Sequence, residues 1–446
     1  AFGAVGVIAA LTRPAAGPGD AVPPVAGALA GMAALLVLLD AAGRVRSVMP
    51  SPASPADGGG ARPEAPAPGT ADDTAAGTDE GAAAGTDEGA GPPDRRRMLL
   101  TGAGVLGAAA AAGTAGRLLI RRGDVASVRA GLRLPAPSGR APTVPAGSQV
   151  RVPGMPAFRT ASRDFYRVDT ALVLPQVDPR DWTLRIHGLV ARPVELSFGD
   201  LLALPLVERD ITLACVSNEV GGTLAGNARW LGVPLAALLR RAGVRADADQ
   251  ILSRSSDGMT LGTPLDAVLD GRDALLAVGM NGEPLPVAHG FPARLVVPGL
   301  YGYVSATKWV VDLKVARFAT DRAYWTRRGY AERAPVKTFS RIDVPRPFAR
   351  LAAGRVAVAG TAWAQHRGVD AVEWQVDGGP WREASAAPVP GPDTWRQWAA
   401  EWNAVPGTHT LRVRATDGTG ATQPEGRARP FPDGATGWHS VVVTVT

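Results

Sequence analysis

At 446 residues the chain has room for two or three domains of ordinary size. Its net charge of +6 comes from Arg far outnumbering Lys, but the arginines are scattered, with no basic helix or aromatic-interleaved patch, so a nucleic-acid binder is excluded. A single cysteine, Cys215, excludes a disulfide-stapled fold and fixes no compartment.

Residues 1–46 read as a membrane region, expected to be truncated at its N-terminus because the chain opens on Ala1 inside an apolar run too short to span. No charge interrupts Val25 to Leu39, and Arg44 and Arg46 follow. Residues 47–97 are rich in Pro, Ala, Gly, Asp and Glu and twice carry "AGTDEGA"; they cannot build a core and read as a disordered linker. Residues 98–122 are uncharged up to Ile120 apart from Arg117 and follow Arg95, Arg96 and Arg97. That pattern fits a transmembrane helix or a twin-arginine-like signal anchor; a soluble Ala-rich helix is the third reading. The first two expect a protein anchored in the cell membrane, with everything after residue 122 extracytoplasmic. Residues 123–155 are expected to be a further linker.

From 156 to 335 the pattern is α+β. "WTLRIHGLV" (182–190) alternates like a strand, Ser197 is placed to cap a short helix, and "RDITLAC" (209–215) reads as a buried strand. "VPLAALLRRAGV" (233–244) has helical periodicity, while "ARLVVPG" (293–299) and "ATKWVVDLKVAR" (306–317) read as strands. From 336 to 446 short alternating stretches are separated by Gly-rich and Asp-Gly turns, the pattern of an all-β immunoglobulin-like sandwich without the inter-sheet cysteine pair.

Cys215 allows several readings. A free cysteine is commonly a small buried hydrophobe. A thiol nucleophile needs a base, and His187, His289, His366, His409 and His439 exist to supply one, but no family signature for that chemistry surrounds it. Zinc lacks a second thiol and a paired-histidine spacing. A soft thiolate also serves as the one protein ligand to a metal held mainly by an organic cofactor.

The residues around it bear on the choice. In order come "DFYRVDTALVLPQVDPRDWTLRIHG", Cys215, "GNARWLGVPLAALL" and "MNGEPLPVAHGFPARLVVPGLYGYVSATKWV". This succession resembles the sulfite oxidase family of molybdopterin enzymes over about 160–446. The resemblance implies a molybdopterin-binding domain at 156–335 followed by an immunoglobulin-like dimerisation domain at 336–446. It implies Cys215 as the molybdenum ligand. Arg167 of "FYR" would face an anionic substrate, and Tyr330 of "WTRRGY" would lend its hydroxyl to the substrate site. Phe165, Tyr166, Asn227, Ala228, Asp257, His289, Arg294 and Lys308 would hold the cofactor. Arg396 of "TWRQW" would reach the anion site from the sandwich; a cation stacked on Trp395 or Trp398 is the alternative.

One stretch departs from the family. Animal sulfite oxidases carry "C-x-x-N-R-R", whereas this chain has "CVSNEV", so Glu219 and Val220 replace two cations. No haem-binding region is present, so a separate cytochrome or other electron carrier is expected. The implied reaction is a two-electron oxygen-atom transfer on a small anion, with sulfite foremost and a homodimer expected. The alternatives are an S-oxide or N-oxide reductase using the same centre, and an inactive anchored immunoglobulin-like binding protein.

Overall fold

The computed structural model describes residues 125–446 and, before them, the helical positions Val25, Gly27, Ala28, Gly31 and Met32. The expected membrane region at 1–46, the linker at 47–97 and the segment 98–122 otherwise fall outside the described residues. Among the described residues no helix is long and apolar enough to cross a membrane.

Strand predominates. The first part carries β1 (Thr183–Gly188), β2 (Val194–Ser197), β3 (Val207–Ala214), β4 (Ala225–Pro234) and β5 (Gln250–Ser255). It continues with β6 (Thr260–Pro264), β7 (Leu275–Met280), β8 (Glu283–Pro284), β9 (Arg294–Val296) and β10 (Val310–Ala316). Helices are short: α1 (Ala126–Gly131), α2 (Phe198–Leu202), α3 (Leu235–Ala242), α4 (Leu265–Leu269) and α5 (Gly302–Ser305). The α+β reading holds, weighted more heavily toward strand than the sequence implied.

Local chemistry explains the elements. Ser197 caps α2 reciprocally: its Oγ accepts from Asp200 N at 3.1 Å, and its own N–H donates to Asp200 Oδ2 at 3.0 Å. In α3 Leu235, Leu238, Leu239 and Ala242 face the core, and Gly243 ends the helix at φ +71°. Every residue of β7 is buried, so its apolar run shows no alternation, whereas β1 alternates buried and exposed.

The strands form two sheets. One runs β2-β1-β10-β5-β6, with only β1 and β10 parallel. The other runs β3-β4-β7-β8, with β9 added to β7, and is antiparallel throughout. Their faces share the cluster that includes Leu184, Leu239, Leu276, Leu295 and Leu313. The stretch expected as a strand from residue 306 starts pairing only at Val310, because Trp309 adopts φ +50° and turns the chain just after Lys308.

The second part is all strand. One sheet orders Phe339–Val344, Gly354–Trp363, Arg396–Ala404 and Ser385–Ala386; the other orders Arg350–Leu351, His439–Val445, Gly407–Asp417, Val369–Val376 and Arg382–Glu383. The two sheets close on a core containing Val358, Trp374, Trp398, Leu411 and Val443.

The two parts are joined closely. Trp363 and Trp395 belong to the core cluster of the first part. Trp395 N donates to Thr212 Oγ1 at 2.7 Å, and Trp395 Nε1 donates to Phe158 O at 2.7 Å. Of the expected linker 123–155, residues 125–155 form α1 and a strap bonded to both parts. Glu208 N donates to Gly139 O at 2.8 Å, and Ser148 Oγ donates to Pro388 O at 2.7 Å.

Candidate active site around Cys215

Cys215 sits at the end of β3, where the strand's last pair has closed and the chain turns. Its N–H donates to Leu224 O at 2.9 Å, and the Asn218 side-chain carbonyl accepts from Leu224 N at 2.8 Å, which closes the loop. The sulfur is buried, and Ser217 N points at it from 3.4 Å. Burial pushes the thiol's pKa up; the Ser217 N–H and the charge of Lys308 act in the opposite direction.

The thiol opens on a cavity of about 270 Å³. Phe165, Tyr166, Cys215, Asp257, Arg294, Lys308 and Tyr330 all lie on its wall. These residues come from the segment before β1, the loop after β3, the β5–β6 turn, β9, the approach to β10 and the turn before the sandwich. The fold thus gathers them from most of the first part's length.

The cations are costly where they stand. Arg294 is 3% exposed and among the described residues has no carboxylate partner. Its guanidinium lies 5.0 Å from the Trp230 ring centre and bonds only carbonyls, such as His289 O at 3.1 Å. Burial drops its pKa from 12.5 to about 10. Lys308, 9% exposed, donates to Asp169 Oδ2 at 3.0 Å. Burial, then the neighbouring Arg294, lowers it to about 8 against the pull of Asp169. Burying an ammonium and a guanidinium together costs several kcal/mol, and a site designed for an anionic group accounts for it.

Tyr166 stacks on Phe165 at 5.2 Å, and burial, then the Cys215 charge, raises its phenol well above the usual range. Tyr330 is packed among Tyr303, Trp325 and Phe431, with ring centres 5.0–5.3 Å away. Asp257 lies in the β5–β6 turn, bonded by Ser255 Oγ and by Met259 N at 3.3 Å.

Several expected residues stand elsewhere. Arg396 does not reach the cavity within this chain. Its guanidinium is tied inside the sandwich, each bond 2.7 Å long, to Ala387 O beside its own sheet's edge strand and to Val369 O at the start of a strand of the facing sheet, so it is spent between the two sheets. It stacks on neither Trp395 nor Trp398, the alternative placement. Asn227 is fully buried: it accepts from Thr212 Oγ1 at 3.1 Å and donates to Phe158 O at 3.0 Å, tying the 158–160 segment to β4. Ala228 is core beneath Phe165 and Trp230. Arg167 is off the wall, and its side chain is 43% exposed and paired with Asp169. His289 packs edge-on to Phe165 rather than lining the cavity. Val220 packs against the core and is not on the wall.

Among the wall residues that sequence reasoning missed are Asp169, Tyr303 and Trp325. Asp169 stands two residues after Arg167, and that spacing was the available signal. The sandwich does reach the Cys215 loop, through a different arginine. Arg341 Nη1 donates to Gly222 O at 2.9 Å, and the His439 ring fills the space beside Gly221, where φ is +81°.

A family model described as the oxidoreductase molybdopterin binding domain matches residues 171–325. The uncharacterized oxidoreductase YuiH of Bacillus subtilis (strain 168) is 34% identical over 176 residues, 40% of this chain and 85% of that protein. Mitochondrial sulfite oxidase of Mus musculus is 32% identical over 256 residues, 48% of this chain and 46% of that protein. The chain belongs to the sulfite oxidase family of molybdopterin oxidoreductases. It is therefore an enzyme, and its cofactor is molybdenum held by molybdopterin. The chain spans about half the length of its mitochondrial relatives. Among solved structures, the sulfane dehydrogenase SoxCD from Paracoccus pantotrophus aligns with TM-score 0.56 and 26% identity, covering 65% of this chain and 83% of that one.

The donor set fits the molybdenum cofactor of this family. Cys215 offers one soft ligand. Arg294 and Lys308 offer two buried cations, and among the described residues the one carboxylate paired with either is Asp169 on Lys308, which leaves net positive charge for a terminal phosphate. His289 Nε2 lies 3.0 Å from Ser162 O, a carbonyl, so that nitrogen carries the proton. Nδ1 is then an acceptor, and it is buried without a partner.

Proposed function

We propose that the chain catalyses a two-electron oxygen-atom transfer on a small oxyanion, sulfite foremost, and passes the electrons to a separate cytochrome or other carrier. When bound, the cofactor supplies the oxygen-atom transfer and takes up the electron pair. The observation that carries the reading is the buried Cys215 thiol on the wall of a cavity of about 270 Å³ that also holds Arg294 and Lys308.

The protein's own part is preorganisation. Cys215 loses its proton on metal binding, which offsets the burial that otherwise raises its pKa. Arg294 and Lys308 are held in place before any anion arrives, by carbonyls and by Asp169 respectively. Tyr330, wedged among three rings, keeps its hydroxyl in one place for a substrate oxygen. Arg167, exposed and off the wall, would meet an anion before it enters the cavity. The test is sulfite-dependent ferricyanide reduction by the purified holoenzyme. Turnover that disappears in Cys215→Ser supports the reading. A fully loaded enzyme that leaves sulfite untouched contradicts it.

Reduction of an S-oxide or N-oxide at the same centre is the second reading. Val220, standing where animal sulfite oxidases carry a cation, favours it, while the C-terminal sandwich counts against it. The binding-protein alternative loses its basis in a chain that belongs to an oxidoreductase family. We further propose that 1–46 and 98–122 anchor the chain in the cell membrane with the catalytic part extracytoplasmic. The sandwich is proposed to be immunoglobulin-like and to mediate a homodimer. The support is the hydropathy and arginine pattern for the anchor and the strand pattern for the sandwich. Membrane fractionation with protease accessibility, and sedimentation of the solubilised protein, test the two parts.

A further inference from the structure

Asp169 has no place in the roles assigned so far, yet it is the acid shared by Lys308 on the cavity wall and Arg167 outside it. It accepts two bonds from Arg167, Nε to Oδ2 at 2.8 Å and Nη2 to Oδ1 at 3.2 Å. Its Oδ2 also accepts from Lys308 Nζ at 3.0 Å. Its side chain is 10% exposed, whereas that of Arg167 is 43% exposed, so the carboxylate lies inside and the guanidinium outside. Burial pushes the carboxyl pKa up, but the bonds and charges of Arg167 and Lys308 outweigh it and hold the group ionised. A turn role is also visible, since Oδ1 accepts from Ala171 N at 3.2 Å. A turn alone does not call for two cations.

We propose that Asp169 is a built-in counter-ion that sets the charge of the substrate the pocket accepts. The inference rests on the cavity being the substrate site. Arg167, off the wall and 43% exposed, is the cation on Asp169 that is not buried with the cofactor contacts, and its fork is already filled by that carboxylate. The loop after Cys215, residues 216–224, carries no cation. A doubly charged anion must therefore break the Arg167–Asp169 pair and then stand beside the freed carboxylate, which repels it. A singly charged or neutral sulfur compound meets a balanced site and avoids that repulsion. The substrate class is therefore a monoanion or neutral compound in preference to a dianion.

The test uses holoenzyme and two unreactive probes, sulfate as the dianion and methanesulfonate as the monoanion, titrated by calorimetry. The native enzyme is expected to bind methanesulfonate at least as tightly as sulfate. Asp169→Asn keeps the shape, removes the charge, and is expected to tighten sulfate by about tenfold or more, with a smaller gain for methanesulfonate. Asp169→Glu retains the charge and is expected to behave as native. A native preference for sulfate, or an Asn variant that binds both probes as native does, overturns the proposal. If the Asn variant fails to fold, the native preference alone decides. Sulfite turnover with an unchanged KM in Asp169→Asn would sink the counter-ion role and leave the oxidase reading intact. Absent sulfite turnover combined with tightened sulfate in that variant would do the opposite.

Discussion

Arg341 offers the sharpest test of how the sandwich supports the site. It is 6% exposed, and its Nε donates to Asp343 Oδ1 at 2.7 Å while its Nη1 donates to Gly222 O at 2.9 Å. The guanidinium also lies 5.6 and 6.0 Å from the ring centres of Trp363 and Trp395. Arg341→Met keeps the aliphatic stem and removes both bonds. Asp343 is then left with Thr361 Oγ1 alone, at 2.6 Å. Two bonds from a charged donor contribute about 1.5–3 kcal/mol each. Together they come to about 3–6 kcal/mol, with the half-buried Asp343 left less well partnered. For a unit of this size that is a fall in Tm of about 4–9 °C. The assay pairs thermal unfolding with the molybdenum paramagnetic spectrum, because a freed Gly222 loosens the loop that aims Cys215. Arg341→Lys, able to remake one bond, should lose about half as much. A Met variant that unfolds within about 1 °C of native, with an unaltered spectrum, would refute the coupling.

Other consequences are as direct. Burial, then Arg427 and Arg341, depresses His439 from 6.5 to about 4. A folded pKa below the unfolded one means a proton is taken up on unfolding, so stability is complete above pH 6.5 and is lost as pH falls toward 4, by up to about 3 kcal/mol. His439→Asn, whose carbonyl can take the Nδ1 role toward Ile342 N, should flatten the stability profile by one proton across that window, as followed by urea unfolding at several pH values. Gly221→Ala should cost at least about 2 kcal/mol, because φ is +81° and a Cβ would strike the His439 ring; an unshifted midpoint in denaturant would count against this packing. Lys308→Met removes one of the two buried cations and should lower the pterin recovered per chain several-fold, read by fluorescence after release. Equal recovery would remove Lys308 from the cofactor contacts.

The sequence was informative where local chemistry decides the structure. Ser197 with Asp200 announces α2, the leucine spacing announces α3, and alternation announces β1 and the sandwich strands. The cluster of Cys215, Arg294 and Lys308 was legible because their motifs have characteristic neighbours. Residues whose role depends on tertiary reach were not legible. Arg396 and Arg341 are both sandwich arginines beside tryptophans, and nothing local says that one is spent on carbonyls within the sandwich while the other crosses to Gly222. Asn227 read as a cofactor contact because it lies in the right motif, but its side chain faces Thr212 and Phe158. Asp169 was overlooked because a carboxylate close to an arginine in sequence usually marks a surface pair; only burial reveals that it also serves Lys308.

The central claim is that the Cys215 cavity holds the molybdenum cofactor. The most direct measurement is molybdenum by mass spectrometry together with pterin, per chain, for the native protein and for Cys215→Ser, from a host that makes the cofactor. The account predicts about one metal and one pterin per native chain. In the variant, pterin should be kept by Arg294 and Lys308 while metal retention or the paramagnetic signal changes. Native protein carrying neither metal nor pterin, or a variant that holds metal with the native spectrum, would contradict it.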